Sequence, residues 1–283
     1  MVLLKSKVPL SSPAVWGLLL CCLGCQGHRK APAVFTGHID QIPDLLQTEP
    51  RADFEGSGKA FCAPVSVSNS LVWMHRMGLA SFLDSTQPEK QAQIALVKRL
   101  AGSKYMNTDS KTGTGPEGVL RGLQRYLEEK EVSNARLLYQ GWRPVSRQFS
   151  RHNKRPNLAS LRRILYRNGG VWLNLGWYTY DEIRDEYQRT GGHWVTLVGY
   201  GEDEQGKPNP KILILHDPSP RAGSDPSSQH VVLRLLRSGT LTGDKTGLPR
   251  KAAGFYKLEE GMNLREGADV AILDGAVALR WLK

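Results

Sequence analysis

Cysteine is scarce in this chain and badly placed for disulfides: of the four among 283 residues, Cys21, Cys22 and Cys25 crowd the first segment and only Cys62 lies in the remainder. A body with one thiol can form no internal disulfide. A lone cysteine in an exported chain is either a reactive thiol or an inert core residue. Long apolar runs are missing too; the longest, residues 14–23, is too short to span a bilayer comfortably. No Gly-x-Ser-x-Gly elbow is present, which argues against a serine nucleophile of that type. Gly56-Ser57-Gly58-Lys59 is no phosphate loop, since Asp53 stands where its first glycine belongs and Ala60 where Ser or Thr should hold magnesium. Zinc-knuckle spacing and aromatic-studded basic strands are absent, so nucleic acid is not an expected partner. Nothing in the sequence implies a cofactor, and there is no internal repeat.

Acidic residues are also in deficit, 27 against 38 basic ones, for a net charge of +11. The excess gathers between Arg143 and Arg155 and at Arg162, Arg163 and Arg167, a distribution suited to an anionic envelope surface. Lys5 and Lys7 followed by the apolar residues 14–23 read as an export signal over residues 1–25. The run ends in Leu23-Gly24-Cys25-Gln26, which resembles a bacterial lipobox, although Cys22 occupies the position where an aliphatic residue is usual. Cleavage there would leave Cys25 as a lipidated N-terminus and a membrane anchor. Residues 26–53, with Pro32, Pro43 and Pro50, read as a tether and an irregular arm, and 54–283 as one domain.

The organising stretch is Gly56-Ser57-Gly58-Lys59-Ala60-Phe61-Cys62-Ala63-Pro64. A proline tolerated only in a first helical turn, after a glycine-rich approach, predicts a helix that starts at the thiol. The unpaired N–H groups of such a start stabilise a thiolate, which makes Cys62 the candidate nucleophile. Val67, Leu71 and Met74 then give a core helix that stops near Gly78. Further helices are expected over 88–100, 116–129 and 158–166. Short apolar segments at 135–140, 171–177, 193–200, 211–217, 230–235 and 254–258 read as strands. Two more, 269–273 and 276–280, flank Asp274-Gly275, a strong hairpin signal. The basic segment 141–156 reads as an exposed connection. Helices first and strands second predict an α+β fold whose leading helix packs against an antiparallel sheet.

A thiol acting on an acyl carbon needs an imidazole to take and return its proton, and an acceptor to orient that imidazole. His193 follows Gly191-Gly192 and begins an apolar strand. If strands 193–200 and 211–217 form a hairpin with Tyr200 opposite Pro210, His193 stands opposite Asp217 and shares its face. His216 then points the other way. A one-residue slip in register would undo the pairing. A strand-end histidine, a turn-forming Asp217 before Pro218, and a metal site of His193, His216 and Asp217 are competing readings, the last without ligand spacing to support it.

Phe61-Cys62-Ala63-Pro64, then Gly191-Gly192-His193-Trp194-Val195-Thr196-Leu197-Val198-Gly199-Tyr200, then Ile214-Leu215-His216-Asp217-Pro218-Ser219 resemble the papain-like cysteine peptidases, and most of all their bacterial branch related to the double-glycine leader peptidases. The resemblance covers about residues 54–220. It implies a papain-like fold, Cys62 as nucleophile, His193 as base and Asp217 as the orienting residue, acting on a peptide or protein through a thioester. Such enzymes usually carry a glutamine a few residues before the cysteine as an oxyanion donor. Residues 54–61 hold none, leaving Lys59 or Ser57 as substitutes. Two alternatives stay open: a non-catalytic envelope module that holds a peptide in the same cleft, and a peptidoglycan-directed cysteine amidase.

Overall fold

Pro64 sits in the first turn of α1 (Cys62–Arg76), where its missing N–H leaves no helical hydrogen bond unmade. The helix is buried from Cys62 to Met74, so it must satisfy its polar side chains against neighbours. Beyond its end, Gly78 takes a left-handed φ of 68° and Leu79 N–H closes back on the Met74 carbonyl at 3.0 Å. The structure is a computed structural model that describes residues 30–149, 154–223, 228–244 and 246–282. Residues 31–283 form one unit. The expected export signal, with Cys21, Cys22 and the lipidation site Cys25, lies outside the described residues. Among those described, no helix is long and apolar enough to cross a membrane.

The other helices are α2 (Glu89–Ala101), α3 (Pro116–Glu129) and α4 (Leu158–Tyr166). The last opens on an Asn157 cap that accepts from Ser160 N–H at 2.9 Å. The strands are β1 (Ala135–Gly141), β2 (Gly170–Asp181), β3 (Glu186–Glu202), β4 (Pro208–His216), β5 (Gln229–Leu235), β6 (Thr240–Thr242), β7 (Arg250–Lys251), β8 (Tyr256–Glu260) and β9 (Val270–Trp281). Among the described residues, only the β3–β6 pair is parallel. The protein is thus α+β, with its helices on a mostly antiparallel sheet.

That sheet closes on itself. β2 pairs with β3, β3 with β4, β4 with β5, β5 with β8, β8 with β9, and β9 with β2 again. Every strand of this ring sends alternate residues into one apolar cluster: Leu173, Val195, Leu213, Val231, Leu258 and Leu273 among them. A cluster shared by all members of a ring is its interior, and α4 adds Leu161, Ile164 and Leu165 to it. The outer face carries Trp172, Trp194, Ile212 and Val277, packed against Val67 and Leu71 of α1 and against α2 and α3.

Three expectations need correction. Asp274-Gly275 makes no hairpin: β9 runs straight through it, with a bulge opposite Asn174 and Leu175 that leaves Asp274 outside the pairing. Gly275 is required there by crowding, since a Cβ would lie 2.8 Å from the Gln140 carbonyl oxygen of β1. The segment after β1 is not simply exposed, because Trp142 and Phe149 are buried. Finally, residues 31–53 are irregular yet packed rather than loose. Phe35 exchanges backbone hydrogen bonds with Tyr200 at 2.9 and 2.8 Å, and Ile42, Leu45 and Ala52 are buried.

Candidate active site

Two hydrogen bonds between α1 and β3 set the spacing of the site. Ser66 Oγ donates to the Trp194 carbonyl at 3.0 Å, and Thr196 Oγ1 donates to the Ser66 carbonyl at 2.8 Å. Both are buried, where losing a partner costs about 1–3 kcal/mol, so the helix start and His193 are held in fixed relation. Ser66 of α1 therefore ties the helix that begins at Cys62 to the strand that carries His193.

The hairpin register differs from the expected one. Thr196 pairs with His216 and Leu197 with Leu215, two residues away from the arrangement that would put His193 directly opposite Asp217, and beyond an irregularity between Leu197 and Gly199, Tyr200 pairs with Leu213 and not with Pro210. A slip of two keeps every side chain on its face, and diagonal neighbours stay within reach of a long ring. His193 Nε2 meets Asp217 Oδ1 at 2.5 Å, and both residues are buried. The same carboxylate oxygen accepts Ser219 N–H at 2.9 Å. His216 does lie on the opposite face. Burial pushes its imidazole down to about 4, against a hydrogen bond with the backbone of Pro43.

With Nε2 engaged by Asp217, Nδ1 is the ring nitrogen left for Cys62, which acts on the imidazole as a close electrostatic neighbour. Burial alone would lower the pKa of His193. The Asp217 carboxylate, and after it Cys62, outweigh burial and raise the imidazole to about 9. Trp177 stacks on the ring with centroids 5.9 Å apart, and the Arg221 guanidinium lies 5.2 Å from the Trp177 centroid. Asn174, buried on β2, donates through Nδ2 to the His193 carbonyl at 3.4 Å.

The loop before Cys62 explains its own glycines. Gly56, Ser57 and Gly58 all have left-handed φ, and a Cβ on Gly58 would stand 1.7 Å from the Gln47 carbonyl oxygen. Gln47 is the residue that sequence reasoning missed, because it lies upstream of residues 54–61, where an oxyanion glutamine is usual. Its Nε2 donates to the carbonyls of Gly58 at 3.2 Å and Lys59 at 2.7 Å, and its backbone N–H donates to the Pro218 carbonyl at 2.7 Å. Gln47 thus braces the cysteine loop to the turn after Asp217. Both amide hydrogens are spent on that brace, so neither is left for an oxyanion.

Cys62 and His193 open into a cleft of about 740 Å³. Lys59 lines it and is exposed; Ser57, also exposed, does not line it. Gly191 and Gly192 sit within β3 rather than at its start. A Cβ on Gly191 would lie 2.5 Å from Arg265 Nη1, and one on Gly192 2.2 Å from Arg189 Nη2. The double glycine is the floor on which two guanidinium groups rest.

Arg189 is in turn held by Asp274, the bulged residue of β9, through Nε to Oδ2 at 2.6 Å. Trp142 Nε1 donates to the other carboxylate oxygen at 3.0 Å, and the Tyr178 hydroxyl donates to it as well. Burial would lower the Arg189 pKa, and Asp274 outweighs it and raises it. Burial and then the neighbouring Arg189 push Arg143 below the usual guanidinium range. Asp274 and Arg189 escaped sequence reasoning because one sat in an apparent turn and the other in a polar stretch with no apolar alternation. No protein-family model matches the chain, and no curated protein matches it.

Proposed function

We propose that the chain is an exported cysteine hydrolase of papain-like fold, lipid-anchored through Cys25, that cleaves a peptide or other amide bond. What supports this is the contact sequence Cys62 to His193 to Asp217, three residues from α1, β3 and the end of β4. With the imidazole charged up to about pH 9, a thiolate at Cys62 has its counter-ion in place. The thiolate attacks the acyl carbon, and the Cys62 backbone N–H, which has no intrahelical acceptor in the first turn, faces the developing oxyanion. His193 gives its proton to the departing amine, a thioester forms, and water activated by the now neutral imidazole releases the acid. Asp217 keeps Nε2 protonated throughout, so that Nδ1 does the transfers.

One observation favours a second reading, a non-catalytic module that holds a peptide in the same cleft: Gln47 has no free amide hydrogen for the oxyanion. The deciding measurement is the rate of Cys62 alkylation by iodoacetamide near pH 6.5, in wild type and in His193→Ala. A nucleophile labels quickly and slows by about tenfold or more without the imidazole. Slow labelling that ignores His193 defeats the hydrolase reading and leaves the holding module.

A further inference from the structure

The cleft does not end at the thiol. It shares Arg143 and Thr246 with a neighbouring hollow of about 260 Å³, which shares Lys154 and Arg250 with a third of about 580 Å³. The three form a continuous groove leading away from Cys62. Its cations begin at the cleft with Lys59, Lys111, Arg189, Arg221 and Arg265, pass through Arg143, and continue with Lys154, Arg250 and Arg155. Asp244 is the one acidic residue among the described residues lining it, while Asp274 answers Arg189 from beneath.

Like charges gathered this closely repel, and in a folded protein such a set calls for a counter-charge. Arg189 Nη2, Arg221 Nε and Arg250 Nε are buried with no hydrogen-bond partner among the described residues, the first two beside the cleft and the third farther along the groove. The Arg189 side chain is only 9 % exposed and is fixed by its Asp274 bond, so its remaining donors are pre-aimed and not free to seek water. Planar forks held in this way match carboxylates, which accept two parallel N–H bonds.

We propose that the groove takes an acidic peptide, with a carboxylate seated over Gly191-Gly192 between Arg189 and Arg265 and further carboxylates following the groove toward Arg250. A peptide is favoured over other polyanions because the groove opens at a thiol suited to acyl carbon, and in this respect the inference rests on the reading of Cys62 as nucleophile. Arg143 and Thr246, which line both of the first two hollows, mark the junction where the chain of the ligand leaves the reacting bond.

The test uses the full chain as Cys62→Ala and fluorescence anisotropy, so that binding is read without catalysis. Two labelled peptides of one length are compared, one rich in glutamate and its glutamine counterpart. Because the charge changes on the ligand, no folding difference enters. The glutamate peptide should bind at least about tenfold more tightly, since charge-assisted hydrogen bonds carry that much. The preference should shrink as salt rises and should drop in the exposed-site variant Arg265→Gln. Equal binding of the two peptides overturns the proposal even if Cys62 alkylation depends on His193, in which case the hydrolase reading stands alone. A single-stranded oligonucleotide that binds as tightly as the glutamate peptide also overturns it, since the groove then attracts any polyanion. Slow, His193-indifferent alkylation together with glutamate-selective binding leaves the acidic-peptide groove intact and removes only the chemistry.

Discussion

Replacing Asp274 separates the two meanings that Asp-Gly can have in a sequence. In the structure its carboxylate is fully buried and receives Arg189 Nε at 2.6 Å, Trp142 Nε1 at 3.0 Å and the Tyr178 hydroxyl. Asp274→Ala leaves a buried guanidinium without its counter-ion, a loss of about 3–5 kcal/mol. It also strands two neutral donors, each worth about 1 kcal/mol or more when buried and unmet. Relaxation lets some of them find water, so the total comes to about 5 kcal/mol. For a unit of this size that lowers the melting temperature by roughly 10–20 °C. Asp274→Asn is the sharper variant. It keeps the volume and one acceptor but sets an amide N–H group against Arg189, and should cost about 3 kcal/mol. A hairpin turn makes the opposite forecast, because Asn-Gly is as good a turn pair as Asp-Gly. Thermal unfolding followed by circular dichroism reads both variants. An Asp274→Asn protein melting within about 1 °C of wild type would refute the buried-network reasoning and the bulge with it.

On the proposed chemistry, His193 makes stability and turnover depend on pH between 6.5 and about 9. Its folded pKa, about 9, lies above the 6.5 of a free imidazole, so the stabilisation from Asp217 is complete below pH 6.5 and is lost as pH rises through 9. The stability gap between wild type and Asp217→Asn, from urea unfolding at pH 6, 7.5 and 9.5, should narrow in that order, and a gap constant over the series would count against the pair. Acylation should lose its proton donor over the same interval, giving a falling limb near pH 9 in single-turnover rates. Gly58 and Gly78 provide a matched pair of left-handed glycines with φ of 72° and 68°. Gly78→Ala meets nothing within 4 Å and should cost only the backbone term, about 1–2 kcal/mol. Gly58→Ala meets the Gln47 carbonyl oxygen at 1.7 Å and should cost markedly more while slowing Cys62 alkylation. Equal shifts in the urea midpoint would show that the brace is not rigid.

Much of this molecule was legible wherever one element decides its own structure. Cys62–Arg76 begins at its cysteine and Pro116–Glu129 at its proline, because caps and first-turn prolines act within a few residues. What depended on a second element was read less well. Asp274-Gly275 carries the composition of a turn, but neither residue has positive φ; the glycine is there for the close approach of β1 and the aspartate for a guanidinium 85 residues away. Gln47 was invisible for the same reason, since its partners are carbonyls across a loop and no short spacing announces them. The pairing of His193 with Asp217 was anticipated through a register that is wrong by two at Thr196, the end nearer His193, and by three at Tyr200. It held because face is a matter of odd and even, and the distance error of a diagonal was absorbed by the length of the imidazole.

Charge shows the limit of local reading more plainly than any single residue. The dense basic run from Arg143 onward and the arginines of α4 suggested one cationic surface, yet the two part company in the fold. Arg143, Lys154 and Arg155 line the groove, whereas Arg162 lies 4.9 Å from the ring centroid of Tyr200 and donates to the Pro210 carbonyl at 2.6 Å. The groove's remaining cations come from six separate segments, around residues 59, 111, 189, 221, 250 and 265. They meet because the strand ring closes: β2 and β3 form one wall, and the turns after β4 and β8 are carried to the same rim. A like-charged set assembled by topology cannot arise from composition alone, and it is unfavourable to folding until something anionic occupies it. Asp274 offsets one member from below. Its placement inside a bulge of β9, where it bonds Arg189 Nε, holds the arginine toward the cleft by construction and not through the overall excess of base.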